Sequence, residues 1–128
     1  MIADTSFIID LLKKDEDAIK KAEKLEKQNK AHALGSPTIY ELWISMARSN
    51  KKEEEEIKQI LGSQPVHELR EESAKRAVEI QEKLIEKGGR VGHLDALIAG
   101  IALENGEKII TGNIEEFERI EGLEAEGY

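Results

Sequence analysis

The chain has 128 residues, a formal net charge of −8, 36% charged side chains and no cysteine. That length supports one domain with a buried core, and the composition excludes disulfides, thiolate metal sites and cysteine nucleophiles. The acidity argues against a broad, nonspecific nucleic-acid binder, because phosphate contacts draw on Lys and Arg. It leaves room for an enzyme that meets phosphate through a bound cation and a local basic rim. No signal-peptide pattern and no long apolar run is present, so the expectation is a cytoplasmic protein with no membrane contact. The Glu/Lys-rich composition is of the kind seen in heat-adapted proteins.

In chain order, Ile2 to Asp4 predicts a short strand, and Thr5 or Ser6 can cap a helix from Phe7 to Lys14. Asp15 caps a charged helix to about Asn29, with Ile19, Ala22 and Leu25 on its inner face. Ala31 to Leu34 reads as a strand. Gly35-Ser36-Pro37 then opens a helix, with Ser36 as cap and Pro37 at the first helical position. That helix carries Ile39, Leu42, Trp43, Met46 and Ala47. Lys51 to Leu61 is a charged helix whose run Glu53 to Glu56 complements the helix dipole. Gly62-Ser63 ends it, and Pro65 to His67 can form a strand. Glu71 to Glu86 has Ala74, Ala77, Val78, Leu84 and Ile85 at helical spacing.

Leu94 to Glu104 is the most apolar helix and stops at Asn105-Gly106. A strand follows over Lys108 to Thr111, then a short helix Ile114 to Ile120 capped by Asn113, then a final strand near Leu123 to Glu126. Strands and helices alternate throughout. The pattern predicts an α/β fold in which a central, mainly parallel sheet is covered by helices on both faces.

Four polar residues stand beside apolar runs: Asp4, Glu41, Asp95 and Asn113. In open parallel sheets, ligands gather at the carboxyl ends of the strands. Asp4 and Asn113 each follow a strand and belong on that edge, whereas Glu41 and Asp95 come from helices. Asp95 shares a helical arc with Ile98, Ala99 and Ala102, an expensive place for a carboxylate without a partner. Each position also has a local alternative. Asp4, Asp95 and Asn113 can be helix caps, and Glu41, near Thr38, Ser45 and Arg48 on the helical wheel, can be a solvated surface residue.

The four together favour a site. Two carboxylates about 5 Å apart repel by on the order of 3 kcal/mol at an effective dielectric near 20. A cluster of them raises its own pKa values or recruits a cation. Oxygen-only ligands suit Mg²⁺ or Mn²⁺, and such an ion can activate water and stabilise a phosphoryl oxygen. No Gly-rich phosphate loop is present, because Gly88-Gly89 with Gly92 lacks the lysine and the strand-to-helix setting. His32 and His67 fall in predicted strands and His93 near a helix start, all read as structural.

At Ala3-Asp4-Thr5-Ser6, Tyr40-Glu41-Leu42, Asp95-Ala96-Leu97-Ile98-Ala99 and Ile110-Thr111-Gly112-Asn113, and again from Phe117 to Leu123, the chain resembles PIN-domain proteins. The resemblance covers essentially the whole length and is specific to VapC-type toxins of VapBC toxin–antitoxin pairs. It implies a single three-layer α/β/α PIN-like domain over residues 1–128 and an endoribonuclease activity. It implies Asp4, Glu41 and Asp95 as ligands of Mg²⁺ or Mn²⁺. Asn113 takes the fourth catalytic position, where many relatives have aspartate, and Thr5, Ser6 and Thr111 support by hydrogen bonding. An amide adds no negative charge, so one tightly held metal is expected. The implied partners are an RNA substrate with an accessible backbone, a small antitoxin protein that covers the acidic cleft, and a second copy in a homodimer. Trp43 and Met46 are candidates for the dimer face and equally for the core. Lys13, Lys14, Arg48, Lys51, Lys52 and Arg90 are candidates for a basic rim, with ordinary solvated surface as the default.

Two alternatives stand beside this. One is a PIN-like RNA- or partner-binding module with weak or no catalysis. The other is a phosphotransfer protein using Asp4 as nucleophile, which fits the motif less well. Haloacid-dehalogenase-like enzymes carry a second aspartate two residues on, where this chain has Ser6.

Overall fold

Parallel strands that are buried on both faces need only be short if every residue is apolar or small. The computed structural model, which describes residues 1–128, has five strands of two or three residues each, the inner three buried throughout and the two at the sheet edges partly exposed. The five are β1 (Ile2–Ala3), β2 (Ala33–Gly35), β3 (Val66–His67), β4 (Ile109–Ile110) and β5 (Ala125–Glu126). Their order is β3-β2-β1-β4-β5, and every pairing is parallel. Seven helices connect them: α1 (Thr5–Leu12), α2 (Glu16–Lys27), α3 (Ser36–Met46), α4 (Lys51–Ser63), α5 (Glu71–Glu86), α6 (His93–Asn105) and α7 (Ile114–Glu118).

From the central β1 the chain builds outward through β2 and β3, then returns to add β4 and β5 on the other side. The order therefore reverses between β1 and β4, the place where a parallel sheet opens a ligand crevice at its carboxyl edge. Ile2 pairs with Ala33 and Ile109, and Ala3 with Leu34 and Ile110. Successive strand residues face opposite sides. Ile2 and Ile109 accordingly enter a core with Ile98, Ile101 and Phe117, while Ala3 and Ile110 enter a second core with Phe7, Leu34 and Leu42. Two cores on one sheet give the three layers.

On the first face α5 and α6 pack so closely that a Cβ built on Gly100 would lie 2.3 Å from the Ser73 carbonyl oxygen. Only a glycine fits there. Ser73 is itself fully buried and donates its hydroxyl to Glu104 Oε2 at 2.7 Å.

Several local expectations need correction. Helix α1 begins at Thr5, so Thr5 and Ser6 lie inside it and Asp4 takes the N-cap position without a side-chain cap bond. Asp15 does cap α2, accepting from the Ala18 N–H at 2.9 Å. Gly35, not Ser36, precedes α3, and the Ser36 hydroxyl accepts from the Leu69 N–H instead. Helix α4 continues through Gly62 to Ser63. His32 precedes β2 rather than lying within it, its ring edge-on to Phe7. Helix α6 is preceded by Gly92, which places Asp95 in its first turn and removes the reading of Asp95 as the cap. The inner face of α5 is Ser73, Ala77, Ile80 and Leu84, while Val78 and Ile85 are exposed. No helix is long and apolar enough to cross a membrane.

Candidate active site

The side chain of Asp4 emerges where β1 passes into α1. Its N–H donates to the Ile110 carbonyl at 2.9 Å, which continues the β1–β4 ladder and fixes the residue at the crevice. Asp4 is 2% exposed. Its Oδ2 accepts from the Ser6 hydroxyl at 2.7 Å and from the Thr111 hydroxyl at 2.9 Å, whereas no protein donor bonds Oδ1. One oxygen of this carboxylate is thus held by the protein, and the other is free to take a further partner.

Glu41 reaches the same region from α3. Its Oε1 accepts from the Thr5 hydroxyl at 2.7 Å, and Thr5 Oγ1 lies 3.0 Å from the fully buried Thr38 hydroxyl. The two threonines thus orient the glutamate from below. Asp95 comes from the first turn of α6, which packs beside α3. Its pKa is pushed up from 3.8 to about 7, first by burial and then by the negative charges of Asp4, Glu116 and Glu41, with a hydrogen bond to Glu116 adding to the shift. Carboxylates close enough to do this share one electrostatic site.

Glu116 is the acid that the sequence reading missed. It stands in the first turn of α7 beside the fully buried Phe117. Nothing in the sequence separates it from Glu115; its effect on Asp95 is what marks it. Asn113 occupies the N-cap position of α7, but its side chain makes no cap bond and is exposed. Its N–H donates to Thr111 Oγ1 at 2.9 Å. The Gly112 N–H donates to Ser6 Oγ at 2.9 Å, and the Ser6 and Thr111 hydroxyls are 3.3 Å apart. Thr5, Ser6 and Thr111 therefore all touch the acidic residues or one another.

No three His, Cys, Asp or Glu side chains lie close enough, as placed, to enclose a metal ion. Mg²⁺ does not require such a cage, since it keeps several waters and is held through one or two carboxylates together with substrate phosphate. The donors here are oxygens only, Asp4 Oδ1 is left free of protein donors, and Asp95 is penalised for ionising by burial and by three other acids. That chemistry fits a hard divalent cation. The six candidate rim residues, Lys13, Lys14, Arg48, Lys51, Lys52 and Arg90, are all exposed, and Lys14 is 3.7 Å from Glu56.

A parallel sheet with an acidic crevice at its switch point is the arrangement of a PIN domain. The PIN-domain pattern matches residues 1–123, and the chain belongs to the PIN-domain family. It is similar to the Ribonuclease VapC2 of Rickettsia felis, with 30% identity over 128 residues that span 98% of this chain and 95% of that protein. Its fold matches a crystal structure of VapBC2 from Rickettsia felis bound to a promoter DNA fragment, with TM-score 0.88 and 25% identity over 99% of this chain and 97% of that one. A DNA-bound VapBC from Salmonella typhimurium matches with TM-score 0.88 and 26% identity over 98% and 96% of the two chains. Within the family the chain is VapC-like.

Proposed function

We propose that this protein is a Mg²⁺- or Mn²⁺-dependent endoribonuclease, the toxin of a toxin–antitoxin pair. The observation that most supports the reading is the Asp4 carboxylate at the β1–β4 switch point, held through one oxygen by Ser6 and Thr111, where Glu41, Asp95 and Glu116 add to the negative charge. A divalent cation, when bound, supplies the positive charge that acidifies water and stabilises a phosphoryl oxygen. Asp4, Glu41 and Asp95 are the residues to hold it. Asp4 is pre-oriented by Ser6 and Thr111, and Glu41 by Thr5, so neither loses much side-chain freedom on binding.

Glu116 changes the expectation attached to Asn113. With it the crevice has four carboxylates, and the charge that an amide cannot supply is restored. Asn113, exposed and without a side-chain bond to the protein, is a group for substrate contact at the rim. Glu116→Gln is accordingly expected to slow cleavage by about tenfold, and Asn113→Ala by only a few-fold. Single-turnover rates at saturating Mn²⁺ measure both. The reverse ranking would return Asn113 to the fourth position.

The RNA is expected to be single-stranded or looped, since hydrolysis requires a reachable backbone. An antitoxin partner is supported by the VapBC complexes that the fold matches. Of the two residues invoked for a homodimer, Met46 lies in the core, which leaves Trp43 with Tyr40 and Ile44 as exposed apolar surface on α3. The site of action that fits such a partner is the cytoplasm. The direct test is incubation of purified protein with structured and single-stranded RNAs, with Mn²⁺, with Mg²⁺ and with chelator. Cleavage that needs the ion and stops with chelator is expected. Ion-independent cleavage would sink the metal reading, and no cleavage of any RNA would favour the binding module.

A further inference from the structure

Tyr128 lies two residues past β5, and the β4–β5 pairing decides where it goes. The Thr111 N–H donates to the Glu126 carbonyl at 3.0 Å, so the chain after Glu126 runs beside Thr111 and Gly112. There the Tyr128 hydroxyl donates to Asp10 Oδ2 at 2.6 Å, and its ring tilts against Phe7 with centroids 5.1 Å apart. Asp10 is one turn after Ser6 on the same face of α1. A Cβ built on Gly112 would lie 2.8 Å from the Tyr128 hydroxyl and 3.5 Å from both Asp10 Oδ2 and Ser6 Oγ. Three polar side chains thus close over the one residue of the β4–α7 turn that has no side chain.

We propose that Tyr128 is a positioning residue for the Asp4 site. Its hydroxyl, anchored on Asp10 and set against Gly112 and Ser6, holds the turn and the serine that orient the Asp4 carboxylate. The route is short. Gly112 donates to Ser6, and Ser6 and Thr111 both donate to Asp4 Oδ2. Burial and the Asp10 carboxylate hold the phenol above its ordinary range, so it stays a donor at every working pH. A neutral, permanent donor suits a clamp that must not switch.

The proposal rests on the nuclease reading for the meaning of the site, and its test separates the two. Tyr128→Phe keeps the ring on Phe7 and removes only the hydroxyl. The expected result is a kcat lowered about tenfold with KM for RNA within about twofold, because a small misplacement costs rate more than binding. Half-saturation by Mn²⁺ should rise about fivefold in a direct binding titration. In the metal-free protein, amide hydrogen exchange of Gly112 should quicken about tenfold while that of α5 and α6 is unchanged. Asp10→Ala should act in the same direction and serves if Tyr128→Phe is poorly folded. Unchanged Gly112 exchange together with unchanged Mn²⁺ half-saturation in both variants would overturn the proposal. A wild type that cleaves no RNA would sink the nuclease reading alone, since exchange and Mn²⁺ binding still report on the clamp.

Discussion

Asp4→Asn is expected to lower RNA cleavage by about a thousandfold while leaving the protein folded, a loss of about 4 kcal/mol in transition-state stabilisation. The substitution is close to isosteric. The amide oxygen can still accept from Ser6 and Thr111, which now bond Oδ2 at 2.7 and 2.9 Å. What changes is the second oxygen: an amide nitrogen, a donor without charge, would stand where the carboxylate has an atom that no protein group bonds. In the proposed nuclease that atom is the first ligand of the cation, and an N–H₂ pointed at a cation repels it. Thermal unfolding of the metal-free variant should match wild type within a few degrees, and its Mn²⁺ binding should be weakened strongly. Cleavage at the wild-type rate in a preparation free of contaminating ribonuclease would remove Asp4 from the site. A variant that fails to fold would instead mark the Asp4 hydrogen bonds as structural.

Asp4, Glu41 and Asp95 stood out because a carboxylate beside apolar neighbours is energetically odd, and Asp95 feels the charges of the other two. Glu116 did not stand out, because Glu115 and Glu116 together look like acids placed to suit a helix dipole. Only the fold brings Glu116, partly buried, to where its charge acts on Asp95. Asn113 was legible as a helix start but not in what its side chain does. Alternation of elements implied parallel strands, yet the order β3-β2-β1-β4-β5 needed the observed pairing. Val78 and Ile85 share the helical spacing of α5 yet are exposed, while Ser73, a polar residue whose hydroxyl donates to Glu104, takes an inner position. Tyr128 was invisible, since its role depends on where the last strand pairs.

Asp95→Asn is expected to abolish cleavage and at the same time to stabilise the metal-free protein, with a pH dependence whose sign follows from linkage. The folded pKa of Asp95 is raised from 3.8 to about 7. Below pH 4 the group is protonated in both folded and unfolded chains, and Asp and Asn should be nearly equivalent. Between about 4 and 7 the folded protein holds a proton that the unfolded chain has released, so stability falls as pH rises. Above pH 7 the penalty is complete. Because Asp95 is only partly buried, the full shift must be discounted for solvent screening, which leaves about 1–2 kcal/mol in favour of Asn at pH 8. For a chain of this size that corresponds to roughly 3–8 °C in melting temperature. A divalent ion should then reverse the order, since it binds the native wild type and stabilises it by mass action, and the variant gains less. Melting curves at pH 4, 6 and 8, with chelator and with Mg²⁺, read the whole prediction. A gap that does not change with pH would show that Asp95 carries no strained charge. Equal stabilisation of both proteins by Mg²⁺ would show that the acids meet at the switch point for some reason other than holding a cation.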